Sequence, residues 1–331
     1  MAKNSYRSQV LSTLLRSEST LIFATLILMI YFYNMQPLFM STSNLQNIAR
    51  WVGTYGFMAL GEMFVLISGG IDLSVGSIVA FTGLLMAYLL STYNLPWLLA
   101  LLIVILVAAG IGAFHGFFVS KFSPPLPQTV PAFLVTLGSA MAFRGIAQYW
   151  TKGYPIVLSR EKFADFFFIG EGNLGIVPIP VIIVLVILGI AFLILNLSII
   201  GRHIYAVGGN LLAAIVTGVK VNRIRILCYV LSTIFSALTG VIITARLNSA
   251  YPGVGVGYEL EAITSCVLGG VSLIGGEGLP FGVLLGVILV VVIENGLVTM
   301  NVSPYLHRII IGLLLLVAVT ADFLKRFRRR T

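Results

Sequence analysis

The sequence predicts an all-α integral membrane protein, a polytopic bundle of about 8–10 transmembrane helices with broken or half-helix elements. Composition is the first indication, because 59% of the 331 residues are hydrophobic and only 9% are charged, whereas soluble proteins carry about 25% charged residues. The mean hydropathy of +1.05 agrees. Because no stretch is long and polar enough for a soluble domain, we expect residues 1–331 to form a single transmembrane domain.

Hydropathy windows of about twenty residues place ten predicted spans along the chain. They lie near residues 20–40, 51–68, 74–91, 96–119, 131–150, 178–199, 225–245, 259–275, 280–300 and 306–324. One of the glycine-rich spans could instead be re-entrant, which gives the lower limit of about eight.

The net charge of +9 is unevenly distributed along the chain. With ten spans, thirteen Lys and Arg residues fall on the side of both termini and five on the other. The positive-inside rule therefore predicts cytoplasmic termini for a multi-pass protein of the plasma membrane. We expect the first span to stay uncleaved and the basic run 325–330 to contact anionic lipid, not nucleic acid.

An aspartate lies between the second and third spans. In residues 67–77, Asp72 follows Gly69-Gly70 and precedes Ser74. An acid near the bilayer centre costs about 3 kcal/mol, so Asp72 is a candidate functional group. Ser74 is expected to N-cap the next helix, with Asp72 accepting hydrogen bonds from its free N–H groups. Direct contact of Asp72 with a solute is the alternative interpretation.

Two further acids fall well inside predicted spans. Glu62 and Glu294, the latter followed by Asn295, could face a central passage and bind a polyhydroxylated ligand or couple to protons. Alternatively they are neutral, or bonded to a helix carrying Arg144 or His115. The candidate pathway residues are Glu62, Asp72, Ser74, Glu294 and Asn295.

Glycines recur in a second segment, 255–278, which also holds Glu259 and Glu261. We expect these glycines to allow close helix approach. An offset of 200 residues sets Gly69 and Gly70 opposite Gly269 and Gly270. Internal duplication, which transporters often carry, and independent packing glycines both explain this echo.

The loop 201–224 contains a short predicted helix. Asn210 is expected to cap it and Gly218 to end it, after about eight residues or 12 Å. Such a helix cannot cross a membrane. Asn210, Ala213, Ala214 and Thr217 follow helical spacing and predict a face of small side chains. That face favours docking of another protein over lying on lipid, which requires large apolar and basic side chains.

Motifs for catalysis and metal binding are missing from the sequence. There is no G-x-x-x-x-G-K-[ST], H-E-x-x-H or G-x-S-x-G, and the three histidines lack metal-ligand spacing. We therefore expect no enzyme activity, metal or bound cofactor. Cys228 and Cys266 lie in predicted spans and are expected to be packing residues.

Four collinear motifs carry a resemblance to a known family. They are residues 67–77, residues 131–138 with Arg144-Gly145, residues 205–218, and residues 294–297 with 302–305. Together they resemble the permease subunits of the ribose/xylose/arabinose/galactose class of bacterial ABC sugar importers. The resemblance runs from about residue 50 to 320.

The resemblance implies the ABC importer permease fold in a bacterial inner membrane. It implies a dimeric channel of two copies or two related permeases, an external sugar-binding protein, and ATPase subunits that hydrolyse ATP with Mg²⁺ on a separate chain. The stretch 208–218 resembles the family's coupling helix. The expected ATPase-coupling residues are Gly208, Gly209, Asn210, Ala213, Ala214, Thr217 and Gly218.

The resemblance implies import of a monosaccharide by alternating access. The same permease type could move an autoinducer-like furanone, inositol or a nucleoside. A proton-coupled secondary transporter that uses Glu62, Asp72 and Glu294 as relay acids is a rival class. A membrane scaffold or receptor is a third class, but it would not need acids and broken helices inside the membrane.

Overall fold

The computed structural model describes the backbone of residues 2–122 and 129–330, and the side chains of residues 18–122 and 131–320. Within those residues the chain is almost entirely helical. The helices are α1 (Ala2–Met35), α2 (Thr42–Ile67), α3 (Val75–Tyr93), α4 (Trp97–Phe122), α5 (Thr129–Thr151), α6 (Ala164–Glu171), α7 (Ile179–Phe192), α8 (Ile199–Gly209), α9 (Leu211–Val216), α10 (Val221–Leu247), α11 (Tyr258–Leu268), α12 (Pro280–Thr299) and α13 (Pro304–Arg330).

Minor elements complete the chain. A 3₁₀ turn covers Pro37–Met40, and a π-helical turn, Leu193–Leu197, continues α7. In the described part of the chain, four two-residue strands form two antiparallel pairs, β1 (Ile156–Val157) with β4 (Ser249–Ala250), and β2 (Asn173–Leu174) with β3 (Val177–Pro178).

The predicted fold class is confirmed. Six helices among the described residues are long and apolar enough to cross a membrane. They include α3, α4, α10 and α12. The predicted span 259–275, by contrast, is not a continuous helix, because α11 has 11 residues and is about 16 Å long. A glycine-rich loop follows it, so α11 is a half-helix.

Helix α10 forms the centre of the bundle and packs against α2, α3 and α4. The Thr239 hydroxyl donates to the Thr54 carbonyl at 3.2 Å, while Gly61 of α2 lies against Ser232. Helix α2 therefore runs antiparallel to α10. Asp72, just before α3, contacts Ser232 of α10, and Gly83 of α3 lies against Gly240 and Thr244. Helix α3 therefore runs parallel to α10 and antiparallel to α2. Helices α2 and α3 form a hairpin whose loop lies beside the first half of α10.

The two ends of the bundle differ. Helix α6 and the paired strands lie where α10 ends, and we call this the α6 end. Helices α8 and α9 lie where α10 begins, and we call this the α8 end. Cys228 and Cys266 are free and buried, which confirms that they are packing residues. The Cys266 thiol donates to the Ala59 carbonyl at 3.2 Å.

Candidate functional site

The loop between α2 and α3 begins with a Schellman motif. The N–H groups of Gly69 and Gly70 donate to carbonyls of the last turn of α2, at 2.9 and 3.0 Å. Gly69 takes a φ of 83°, which side chains with a Cβ disfavour. The predicted break in helical structure at Gly69-Gly70 therefore has a specific geometry that reverses the chain.

Asp72 is fully buried, and both of its carboxylate oxygens accept hydrogen bonds from the protein. Oδ1 accepts from the backbone N–H and the hydroxyl of Ser74, at 2.9 and 2.5 Å. Oδ2 accepts from the Ser232 hydroxyl on α10 at 2.8 Å. Ser74 is the N-cap residue of α3, as predicted, but its hydroxyl donates to Asp72 and accepts no hydrogen bond from the helix. These contacts favour a loop-positioning role for Asp72.

Glu62 lies beside Asp72. Its Oε1 accepts a hydrogen bond from the Asp72 backbone N–H at 3.1 Å, and its side chain is fully buried. The loop is also fixed by α5, because the Thr136 hydroxyl accepts from the Leu73 N–H at 3.1 Å. Ser232 lies eleven residues into α10, about 16 Å from its first residue. The structure therefore brings two of the predicted pathway acids together at one buried loop.

Glu294 belongs to a separate group. Its carboxyl lies beside the carboxyl of Glu261 on α11, and Glu261 in turn lies beside Tyr55 on α2. The Tyr55 and Tyr258 rings lie 5.0 Å apart beside this pair. Sequence reasoning named Glu261 only as part of a packing segment and missed its proximity to Glu294.

Asn295 is engaged by an asparagine from another helix. The Asn44 amide donates to Asn295 Oδ1 at 2.8 Å, and the Asn295 amide donates back at 3.0 Å. Arg144 donates to the Pro252 and Val254 carbonyls instead of to an acid. Arg144 therefore bonds the backbone after α10, and Glu294 lies beside α11 through Glu261.

His115 lies on α4 and is fully buried. Its Nε2 pairs with the Ser139 hydroxyl of α5 at 2.5 Å. The helix that carries His115 was one alternative partner for Glu62 and Glu294, but the His115 side chain instead ties α4 to α5.

The glycines of residues 255–278 confirm the expectation of close helix approach. An added Cβ on Gly286 of α12 would overlap the Ser265 carbonyl of α11, and one on Gly269 would overlap Gly282. The sequence echo also has a structural counterpart. Helix α11 ends in the same Schellman motif as α2, with Gly270 at φ 85°. The geometry therefore pairs Gly69 with Gly270, one residue away from the offset of 200.

Helix α9 has the predicted beginning and end. The Asn210 side chain accepts from the Ala213 N–H at 3.0 Å, which confirms the cap. Gly218 takes a φ of 82° and donates to the Ile215 carbonyl at 3.0 Å, which confirms the stop. The helix itself has 6 residues, about 9 Å. It is shorter than expected because Thr217 already serves as its C-cap.

The predicted face of small side chains on α9 is wrong in one essential respect. Ala214 is 2% exposed and packs inward, where a small side chain lets α9 approach the bundle. Ala213 and Thr217 are exposed, and the Thr217 hydroxyl donates to the Ala213 carbonyl. The exposed large apolar side chains of α9 include Leu212 at 65% and Val216 at 87%. The free surface of α9 therefore carries aliphatic side chains beside the small ones.

The geometry agrees with comparisons against known proteins. Residues 44–319 match a family model described as the branched-chain amino acid transport system / permease component. The chain belongs to this permease family. It is 39% identical over 302 residues to the ribose import permease protein RbsC of Haemophilus influenzae, with 91% of each chain covered. No solved structure matches the chain.

Two further relatives of the permease have informative names. The ribose import permease protein RbsC of Escherichia coli (strain K12) is 37% identical over 92% of the permease and 93% of its own length. The L-arabinose transport system permease protein AraH of Escherichia coli (strain K12) is 34% identical over 89% of the permease and 87% of its own length. The family description names amino acids and these relatives name sugars, so family membership alone leaves the solute class open.

The permease also carries a groove of about 730 Å³ between α4 and α5. Ser139 supplies the one polar side chain among the groove's lining residues. Such a wall suits an apolar occupant and does not suit a polyhydroxylated solute. The groove and the buried acid groups are therefore chemically distinct sites.

Proposed function

We propose that this chain is the transmembrane subunit of an ATP-driven importer that carries a monosaccharide into the cytoplasm of a bacterium. The relatives named above support the solute class, because two sugar permeases cover about nine-tenths of the chain. Autoinducer-like furanones, inositol and nucleosides remain alternatives. An external binding protein delivers the solute, and the chain works as a dimer with a second copy or a related permease.

Helix α9 carries the proposal. It is too short to cross a membrane, and it presents Leu212 and Val216 one helical turn apart on an exposed surface. Apolar side chains that project together from the end of a bundle are typical of a docking surface. We assign the α8 end to the cytoplasm, where the short basic loops are. The partner on α9 is an ATPase subunit that binds ATP and Mg²⁺.

The proposal includes transport by alternating access. When two ATPase subunits close on ATP, the α9 helices of the dimer move with them and the spans rock. Solute that entered from outside is then released inward. The coupling requires that α9 contacts its partner differently in the two states.

The proposed ATPase contact is tested with Leu212→Asp and Val216→Asp. Docking buries each side chain, so each variant loses about 2 kcal/mol and binds the ATPase roughly 30-fold more weakly. Co-purification with the partner ATPase subunit measures the effect. Ile176→Asp is the matched control, because Ile176 is equally exposed but lies at the α6 end.

Uptake in reconstituted vesicles completes the test. ATP must be required for accumulation of labelled pentoses or hexoses in the presence of the binding protein. Accumulation by this chain alone, or uptake that persists without ATP and collapses with a protonophore, would replace the proposal with a proton-coupled transporter.

A further inference from the structure

Three glycine segments meet at the α8 end, and we call this contact the glycine junction. Its members are Gly69 in the α2–α3 loop, Gly208 and Gly209 at the end of α8, and Gly275 and Gly276 in the α11–α12 loop. They come from three parts of the sequence. The junction therefore joins α8, which leads into α9, to the α2–α3 loop and the α11–α12 loop. We call α8 and α9 together the α8–α9 arm.

The segments touch through their backbones. An added Cβ on Gly275 would lie 2.9 Å from the Gly69 Cα and 3.0 Å from the Gly208 Cα. One on Gly276 would lie 2.6 Å from the Gly209 Cα. One on Gly208 would overlap the Ile67 carbonyl oxygen and lie 2.7 Å from the Gly276 nitrogen. No side chain intervenes at these points to absorb a displacement.

Two hydrogen bonds fasten the junction. The Gly276 N–H donates to the Ile67 carbonyl at 2.8 Å and ties the two loops together. The Tyr205 hydroxyl of α8 donates to the Gly278 carbonyl at 2.7 Å and ties the arm to the α11–α12 loop. Burial raises the pKa of Tyr205 to about 12, so its hydroxyl stays protonated and able to donate at neutral pH.

Each glycine segment of the junction is followed in the sequence by a different part of the protein. Gly209 is followed directly by Asn210, the cap of α9. Gly69 is followed by the loop that holds Asp72 beside Glu62 and begins α3. The α11–α12 loop leads into α12, which carries Glu294. A displacement of α9 is therefore passed to the α2–α3 loop and the α11–α12 loop, because close-packed backbone segments transmit strain.

We propose that the glycine junction is the joint through which the α8–α9 arm drives the two loops, with Gly208 as its main positioning residue. This inference rests on the proposed function, since it requires α9 to be moved by an ATPase. It goes beyond that function by naming the route of the motion. A movement of α9 would then displace the α2–α3 loop and the α11–α12 loop together.

Gly208→Ala tests the joint. The added methyl must push α8 away from Ile67 and Gly276 without altering the exposed surface of α9. We expect normal membrane insertion and ATPase co-purification, retained ATP hydrolysis, and solute uptake lowered about tenfold or more. Gly189→Ala on α7 is the matched control, because its added Cβ meets no atom within 4 Å. It should transport like the original protein.

Hydrogen exchange distinguishes a joint from a merely structural glycine. In the original complex, ATP binding should change exchange in α9 and in loop residues 69–74 and 270–278. In Gly208→Ala, α9 should still respond and the loops should not. If the Gly208→Ala protein is not produced in the membrane, Tyr205→Phe replaces it as the test variant. This change adds no bulk and removes only the hydrogen bond to Gly278. It should reduce loop response and uptake in parallel.

The outcomes separate the two proposals. Normal uptake or a normal loop response in Gly208→Ala overturns the joint. The same result in Tyr205→Phe does so where that variant is needed. The proposed function still stands in that case if uptake depends on ATP. Loss of ATPase binding in Gly208→Ala also overturns the joint, because it would make Gly208 a docking residue. Uptake by the original complex without ATP would contradict the proposed function and, because the joint rests on it, the joint as well.

Discussion

Replacing Asp72 distinguishes a loop-positioning residue from a solute ligand. Asp72→Ala leaves three buried donors without an acceptor, namely the N–H and hydroxyl of Ser74 and the hydroxyl of Ser232. At about 1 kcal/mol for each unpaired donor, the variant loses about 3 kcal/mol. This corresponds to a fall of roughly 150-fold in the ratio of folded to unfolded protein.

Asp72→Asn is the conservative partner of this change. Its Oδ1 can still accept from both groups of Ser74, and its amide can donate to the Ser232 hydroxyl, which is able to accept. We therefore expect a loss of about 1 kcal/mol. Thermal melting in one detergent compares both variants with the original protein, and Asp72→Ala should melt several degrees below Asp72→Asn.

Uptake kinetics provide the decisive result. If Asp72 only positions the loop, Asp72→Asn should keep the KM for solute, and the maximal rate should fall in step with stability. A KM raised about tenfold in Asp72→Asn with an unchanged melting temperature corresponds to 1.4 kcal/mol of lost solute binding. That result would refute the positioning argument and make the carboxylate a solute ligand.

Two further changes test the packing of the bundle. Gly286→Ala brings a methyl group against the Ser265 carbonyl, and overpacking of about 1–3 kcal/mol should lower the melting temperature. Gly312→Ala, where space is open, should leave it unchanged, and equal melting of both variants would contradict the close approach. Asn295→Ala should cost about 1 kcal/mol with KM unchanged, and a double-mutant cycle with Asn44→Ala should show coupling that a solute-binding role would not produce.

The sequence predicted those features that depend on local chemistry. Hydropathy located the long helices, because a run of about twenty apolar residues is the length that a helix needs to cross the bilayer. Asn210 and Gly218 were identified as cap and stop of α9 from their own side-chain and backbone preferences. Gly69-Gly70 was identified as a break for the same reason.

Features that depend on distant contacts were not predictable. The span 259–275 looked continuous because the loop after α11 includes Val271, Leu273 and Ile274, so hydropathy does not register the end of the helix. The inward direction of Ala214 depends on where α9 packs, which helical spacing alone does not specify. The partner of Asn295 lies 251 residues away in the sequence.

The acids of the membrane domain fall into two separate groups. A proton relay needs titratable groups within hydrogen-bond reach of one another. Both acid groups lie against α2, but at different levels of it. Tyr55, which lies beside Glu261, is seven residues before Glu62 on α2, about 10 Å away along the helix. The residues between them on α2 are glycine, alanine and apolar side chains.

Two separate acid groups therefore fit separate structural tasks better than one continuous path. Asp72 with Glu62 holds the α2–α3 loop, and Glu261 of α11 lies beside Glu294 of α12. Both loops bounded by these helices end at the glycine junction beside α8. Work that enters through α9 would reach both acid groups by moving the loops, and this mechanical link requires no proton to pass between them.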